Sequence, residues 1–268
     1  MSSTSQKSSR SETGAGQVQS LTRGLALLAR LAETEHGATL TELAQATGLA
    51  PSTAHRLLGS LEAQRFACQN AETGRWSIGV AAFSVGQAFV RGRNHVALAR
   101  PFMRRLVEEG GETANMAVED RGEAVYLAQI ECDQMMRAFA RVGARVPMHA
   151  SGVGKALLAA LPEAERTVIL QARPLDRLTG RTRVEPTALL ADLREAHSRG
   201  YAIDDEEHAI GLRCVASTVL DETGRPLAAL SVSGPTARMT DDRMPSLGRL
   251  VADACAALTR EIGGRPPA

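Results

Sequence analysis

The stretch LTELAQATGLAPSTAHRLLGSL, residues 40–61, places two short helical periods on either side of a break that leaves room only for a tight corner. In the first, Leu43 and Ala44 make an inner face, Thr41 is placed to cap, and Gly48 can leave the helix through a left-handed conformation. Pro51 suits the first turn of the second, where Ala54, Leu57, Leu58 and Leu61 recur at i, i+3, i+4 and i+7. An earlier helix is predicted from Val18, with Leu21, Leu25, Leu28 and Leu31 at helical spacing and an end near Gly37.

The inner face of the 51–61 helix is spoken for, so Ser52, Thr53, His55 and Arg56 remain on its outside near the amino-terminal end. These are short or basic hydrogen-bonding side chains, the chemistry a recognition helix offers to a major groove. FACQNAETGRWSIG, residues 66–79, reads as two short strands around an Asn/Glu/Thr/Gly turn. Three helices and a hairpin make a winged helix-turn-helix over residues 17–79, with Arg75 on the wing to meet phosphate. Residues 1–95 carry 9 Lys+Arg against 6 Asp+Glu, an excess too small to establish nucleic-acid binding on its own. Residues 1–16 are Ser-rich and polar, and a disordered tail is expected there. Residues 80–97 read as an amphipathic linker helix suited to packing on a second copy.

After Arg100 the texture changes. TANMAVED, EAVYLAQIE, MMRAFA, RCVASTVLD and PLAALSVSG are strand-like, GKALLAAL and PTALLADLREAHSRG are helical, and a closing helix is expected from about Pro245 to Ile262. The fold class expected is α+β, with residues 98–264 built around an antiparallel sheet. Cys68, Cys132, Cys214 and Cys255 are far apart, with no CxxC or CxxH pair, so reduced thiols, a cytoplasmic location and no metal site or cofactor are expected. No run approaches the roughly 18 apolar residues of a membrane span.

Three places could carry chemistry. In MHASGVGKALLA, residues 148–159, Ser151 can cap a helix whose first amides, those of Gly152 and Val153, suit a carboxylate or phosphate. It is not a phosphate-cradling P-loop, which would need Gly in place of His149 and Ser or Thr in place of Ala156. In LAALSVSGP, residues 227–235, alternation puts Ala229, Ser231 and Ser233 on one strand face, so two hydroxyls project side by side. DDEEHAIGLRC, residues 204–214, brings together acids, a histidine and a cysteine. A Cys214 nucleophile and a metal site are both weakly supported by the spacing, and the favoured reading puts Asp204 and Cys214 on neighbouring elements lining a pocket, with Glu206 and Glu207 solvated outside it.

In this order LTELAQATGLAPSTAHRLLGSLE, ETGRWSIG, MHASGVGKALLA, YAIDDEEHAIGLRCVAS and AALSVSGPTARMTDDR resemble the IclR family of bacterial transcription regulators, over about residues 17–263. The resemblance implies a winged helix, a linker helix and a GAF-like effector domain, assembled as dimers and often tetramers on double-stranded operator DNA, with no catalytic activity. The last three motifs are most similar to members that repress and that sense small 2-oxo acids such as glyoxylate and pyruvate. By motif position the ligand would meet the amides of Gly152 and Val153 and the side chains of Asp204, Cys214, Ser231 and Ser233, with Val146, Leu212 and Ala138 on the apolar side. Pro51 stands where many members have a basic residue, and Ala138 is smaller than the Met or Leu expected there, which could admit a bulkier acid. Two other readings are an activator of aromatic-acid catabolism in the same family, and a cysteine-dependent enzyme or covalent sensor acting through Cys214.

Overall fold

The computed structural model describes residues 18–91 and 94–265, without the side chains of 89–94, so the tail expected over 1–16 lies outside the described residues. The chain forms two compact units that divide at residues 92 and 93.

The first unit runs α1 (Gln19–Ala32), α2 (Leu40–Thr47), α3 (Pro51–Ala63), β1 (Ala67–Gln69), β2 (Trp76–Ile78) and α4 (Val80–Arg91). Leu27 and Leu31 of α1, Leu43 and Ala44 of α2, and Ala54 and Leu58 of α3 close over Trp76 as one core. Two local expectations change. The cap of α2 is Thr39 rather than Thr41: its hydroxyl accepts from Glu42 N at 3.3 Å while Glu42 Oε2 accepts from Thr39 N at 2.7 Å. This reciprocal box satisfies two amides at once, which Thr41 inside the first turn could not do. The first helix ends at Ala32, not near Gly37. Gly37 has φ +68° and lets Ala38 exchange two hydrogen bonds with Trp76, at 2.9 and 2.8 Å, as a third short rung on the wing. A Cβ there would lie 2.4 Å from the Trp76 carbonyl oxygen.

The second unit is three-layered. It runs α5 (Asn94–Gly110), β3 (Thr113–Asp120), β4 (Glu123–Ile130), β5 (Arg145–Pro147), α6 (Gly152–Ala160), α7 (Glu163–Ala172), α8 (Pro186–Arg199), β6 (Ala202–Asp205), β7 (Leu212–Leu220), β8 (Pro226–Pro235) and α9 (Met244–Glu261). The strands form one antiparallel sheet in the order β5-β4-β3-β8-β7-β6. Every pairing is antiparallel, and helices cover both faces of the sheet. Helices α5 and α9 pack on the face that carries Ala114, Val215 and Val232, burying Met103, Leu106, Val251 and Leu258. Helices α6 and α8 pack on the other, over Ala117, Ala202, Ala216 and Ala229. Small residues on that face let α6 approach the sheet closely.

Helix α5 extends well past the linker expected over 80–97, because Val96, Ala99, Met103 and Leu106 bury at helical spacing on both sides of Pro101. MMRAFA is not a strand. Residues 131–144 lack regular structure, with Met135 and Phe139 exposed, because β5 takes the edge of β4 that such a strand would need.

Candidate functional sites

In the first unit, Ser52, His55 and Arg56 are exposed on α3 and Thr53 is half-buried, while Ala54 and Leu58 hold the opposite face in the core. The left-handed Gly48, φ 65°, sets the corner that presents this face. Arg75 is held differently from these. Its Nε donates to the His36 carbonyl at 3.2 Å, and one terminal nitrogen donates to the Gly37 carbonyl at 2.9 Å and Glu42 at 3.3 Å. The guanidinium thus braces the wing against the start of α2.

In the second unit the strand register assembles a polar row on the α6 face. Asp204 pairs with Cys214, Cys214 with Ser233, and Ser233 with Thr113. The next row on the same face is Ala202, Ala216, Ser231, Asn115 and Gln129. Three consecutive strands, β6, β7 and β8, therefore bring Asp204, Cys214, Ser231 and Ser233 together, all buried, and β3 and β4 extend the rows with Thr113, Asn115 and Gln129. The start of α6 lies over them: a Cβ on Gly152 would stand 2.6 Å from Cys214 Sγ. Ser151 caps that helix, its hydroxyl accepting from Gly154 N at 3.2 Å and donating to the Pro147 carbonyl at 2.8 Å. Among the described residues no acceptor meets the amides of Gly152 or Val153. Leu212 shares the face of Cys214, Val146 is buried in the α6-side core, and Ala138 is half-buried in the irregular 131–144 segment.

The cluster's hydrogen bonds are incomplete. Gln129 Nε2 donates to Asn115 Oδ1 at 3.0 Å, and Asn115 Nδ2 to Ser233 Oγ at 3.5 Å. Ser231 Oγ, on a fully buried side chain, has no well-formed hydrogen bond, and it lies, like Ser233, beside the Cys214 thiol. A buried hydroxyl left unpaired costs about 1–3 kcal/mol. Asp204 Oδ1 accepts from Glu207 N at 2.8 Å and His208 N at 3.2 Å. Burial pushes this carboxyl up to about 7, against the opposing pull of Lys155 and the two amides.

The surroundings of Cys214 disfavour a nucleophile. Burial, with the Asp204 charge beside it, pushes its thiol up to about 12, so the reactive thiolate is not populated at neutral pH. His208 is lowered by burial and is no cationic partner for it.

Sequence reasoning missed several residues here. Tyr126 of β4 lies close enough to Cys214 and Asp204 for their charges to raise its phenol, together with burial. Asn115 and Gln129 complete the polar row; the one visible signal was an Asn inside the apolar strand TANMAV. Glu207 is fully buried rather than solvated, because Lys155 Nζ reaches it at 2.5 Å from α6. Glu206 takes φ +59° and pairs with Arg181. A larger cleft, of about 640 Å³, opens elsewhere, between α6, the end of α8 and β7. Its lining includes Ala156, His197, Tyr201 and Thr218 but none of Asp204, Cys214, Ser231, Ser233, Asn115 and Gln129. The row is packed shut beneath α6, so volume alone does not reveal it.

Two family models match the chain: the IclR helix-turn-helix domain over residues 20–71 and the bacterial transcriptional regulator IclR C-terminal domain over residues 87–260. The chain belongs to the IclR family. It is 49% identical over 251 residues to the acetate operon repressor of Salmonella typhimurium, covering 93% of this chain and 92% of that one. The transcriptional repressor IclR of Escherichia coli K12 matches to the same extent. The crystal structure of Thermotoga maritima IclR superposes with a TM-score of 0.76 at 25% identity, covering 92% of this chain and all of that one. This IclR-family chain is a DNA-binding transcriptional repressor and not an enzyme. No described helix is long and apolar enough to cross a membrane.

Proposed function

We propose that this repressor senses a small 2-oxo acid, such as glyoxylate or pyruvate, in the polar row under α6. The effector carboxylate accepts hydrogen bonds from the amides of Gly152 and Val153 at the positive end of α6. Its carbonyl, or the hydrated form of it, lies toward Ser231, Ser233 and Cys214, with Tyr126, Leu212, Val146 and Ala138 limiting its size. Asp204, protonated, donates to the ligand instead of repelling it. The observation that carries the reading is the register: Gly152, at a helix start whose first two amides have no acceptor among the described residues, packs against Cys214 and Ala216, which pair across the sheet with Ser233 and the buried Ser231.

Residues 17–79 act as the winged helix, 80–97 as the linker and 98–264 as the effector domain. Ser52, Thr53, His55 and Arg56 meet operator DNA, and Arg75 holds the wing in place rather than contacting it. One recognition helix reads only a few base pairs, so a dimer, and tetramers of two dimers, bind a palindromic duplex. Calorimetric titration with glyoxylate and with pyruvate tests the effector. Saturable binding of either, lost in a Gly152→Val variant that still binds operator, is the expected result. Failure of every 2-oxo acid, with binding of benzoate instead, would replace this reading with an aromatic-acid sensor whose pocket is enlarged at Ala138.

A further inference from the structure

The chain contains only two lysines, Lys7 and Lys155, and Lys155 is fully buried. It belongs to α6, one turn beyond the free amides. Its Nζ donates to Asp192 Oδ2 at 2.7 Å and Glu207 Oε1 at 2.5 Å. Arg183, 39% exposed, also reaches Glu207 Oε1 at 2.5 Å and lies 3.9 Å from Asp192. Two cations and two acids balance one another in this knot. Isolated buried charges are costly, and the cost is recovered only when each is matched and hydrogen-bonded.

Glu207 also belongs to the turn that orients Asp204. Its amide, with that of His208, holds Asp204 Oδ1, and among the described residues no donor occupies Oδ2. Thr182 Oγ1 donates to the Glu207 carbonyl at 2.8 Å and Thr179 Oγ1 to the Glu206 carbonyl at 2.7 Å, which fixes the turn through the left-handed Glu206. The helix that carries the anion-binding amides and the turn that aims the acid are thus joined by a single ammonium group.

We propose that Lys155 is a positioning residue for the effector site, its buried ammonium locking the Asp204 turn onto α6 and, together with Glu207, setting the pH range over which the site accepts an anion. This rests on the reading of the polar row as the effector site. With the knot internally neutral, Asp204 is the one acid left without a counter-charge, and an anionic ligand would be a second. The other titratable groups that face Asp204 are Cys214 of β7, Tyr126 of β4, and His208 in the turn. Burial keeps all three neutral near pH 7. Lys155 favours the Asp204 carboxylate and Glu207 disfavours it, so the two act in opposite directions.

The test is the affinity for glyoxylate, measured by calorimetry between pH 5.5 and 8.5, with operator binding as the check on folding. In the wild type, affinity falls as pH rises through the Asp204 range, and Asp204→Asn removes that dependence. Glu207→Gln should move the midpoint down by about half a pH unit or more, and Lys155→Met should move it up by a similar amount. A purely structural role predicts weaker binding with an unmoved midpoint, or shifts of the same sign in both variants, and either result overturns the proposal. If Lys155→Met does not fold, the downward shift in Glu207→Gln decides alone. If the wild type binds no 2-oxo acid, the effector reading fails by itself. The Asp204 carboxyl band in infrared difference spectra of the ligand-free protein, wild type minus Asp204→Asn, then reports the same opposite shifts or their absence.

Discussion

The two surfaces proposed to carry function are built in opposite ways. The α3 face is a run of exposed side chains on one helix, whose order follows from the apolar residues behind it. The α6 row is buried, gathered from five elements, and holds an unpaired hydroxyl and a carboxyl displaced to about 7. Substitutions on the first should act on DNA affinity and leave stability nearly unchanged. Substitutions on the second should act on stability and effector affinity together, and sometimes in opposite directions.

The largest expected departure is at Asp204. Its folded carboxyl is raised from 3.8 to about 7, so the native state binds more protons than the unfolded chain between those values. The associated stability is fully present below pH 4 and is lost as pH rises through about 7. Asp204→Asn, which cannot ionise, should therefore be more stable than wild type at pH 8 by about 2–4 kcal/mol and gain little at pH 4. Thermal denaturation at the two pH values checks this; equal gains at both would show that Asp204 titrates normally.

Next comes Arg56→Ala on the exposed face. Loss of a base or phosphate contact is worth roughly 1–3 kcal/mol, a five- to hundredfold weakening on an operator selected from random duplexes. The melting temperature should not move. Wild-type affinity in a gel-shift titration would take Arg56 out of the interface.

Ser231→Ala separates the two kinds of surface most sharply. Removing an unpaired buried hydroxyl should hold or raise stability, while the lost ligand hydrogen bond costs about 0.5–1.5 kcal/mol, a two- to tenfold weaker effector. Denaturation and calorimetry on the same preparation measure both; a fall in stability would mean that the hydroxyl has a protein partner. The smallest effect belongs to Cys214→Ser, which should keep its effector response, because a neutral buried thiol contributes shape and not nucleophilicity. Loss of the response, with the fold intact, would restore the covalent-sensor reading.

What could be read from the chain follows the range of the interactions concerned. The helices of the first unit, the Gly48 corner, the Ser151 cap and the pairing of Ser231 with Ser233 on one face were all legible, because each depends on residues within a turn or two of one another. Even there the cap moved from Thr41 to Thr39, since a capping box is decided by reciprocal hydrogen bonds and not by residue type alone.

The strand register was beyond local reading. Asp204, Cys214 and Ser233 meet only because β6, β7 and β8 are neighbours in one sheet, and a slip of one residue would have turned each to the other face. Glu207, like Glu206, was expected to be solvated outside the pocket. Periodicity by itself determined the longer helices and strands, though not β5, β6, α7 or the irregular 131–144 segment. The tertiary structure decided which charges are buried, because burying a charge requires an opposite charge within reach, and here that partner is 52 residues away in the chain.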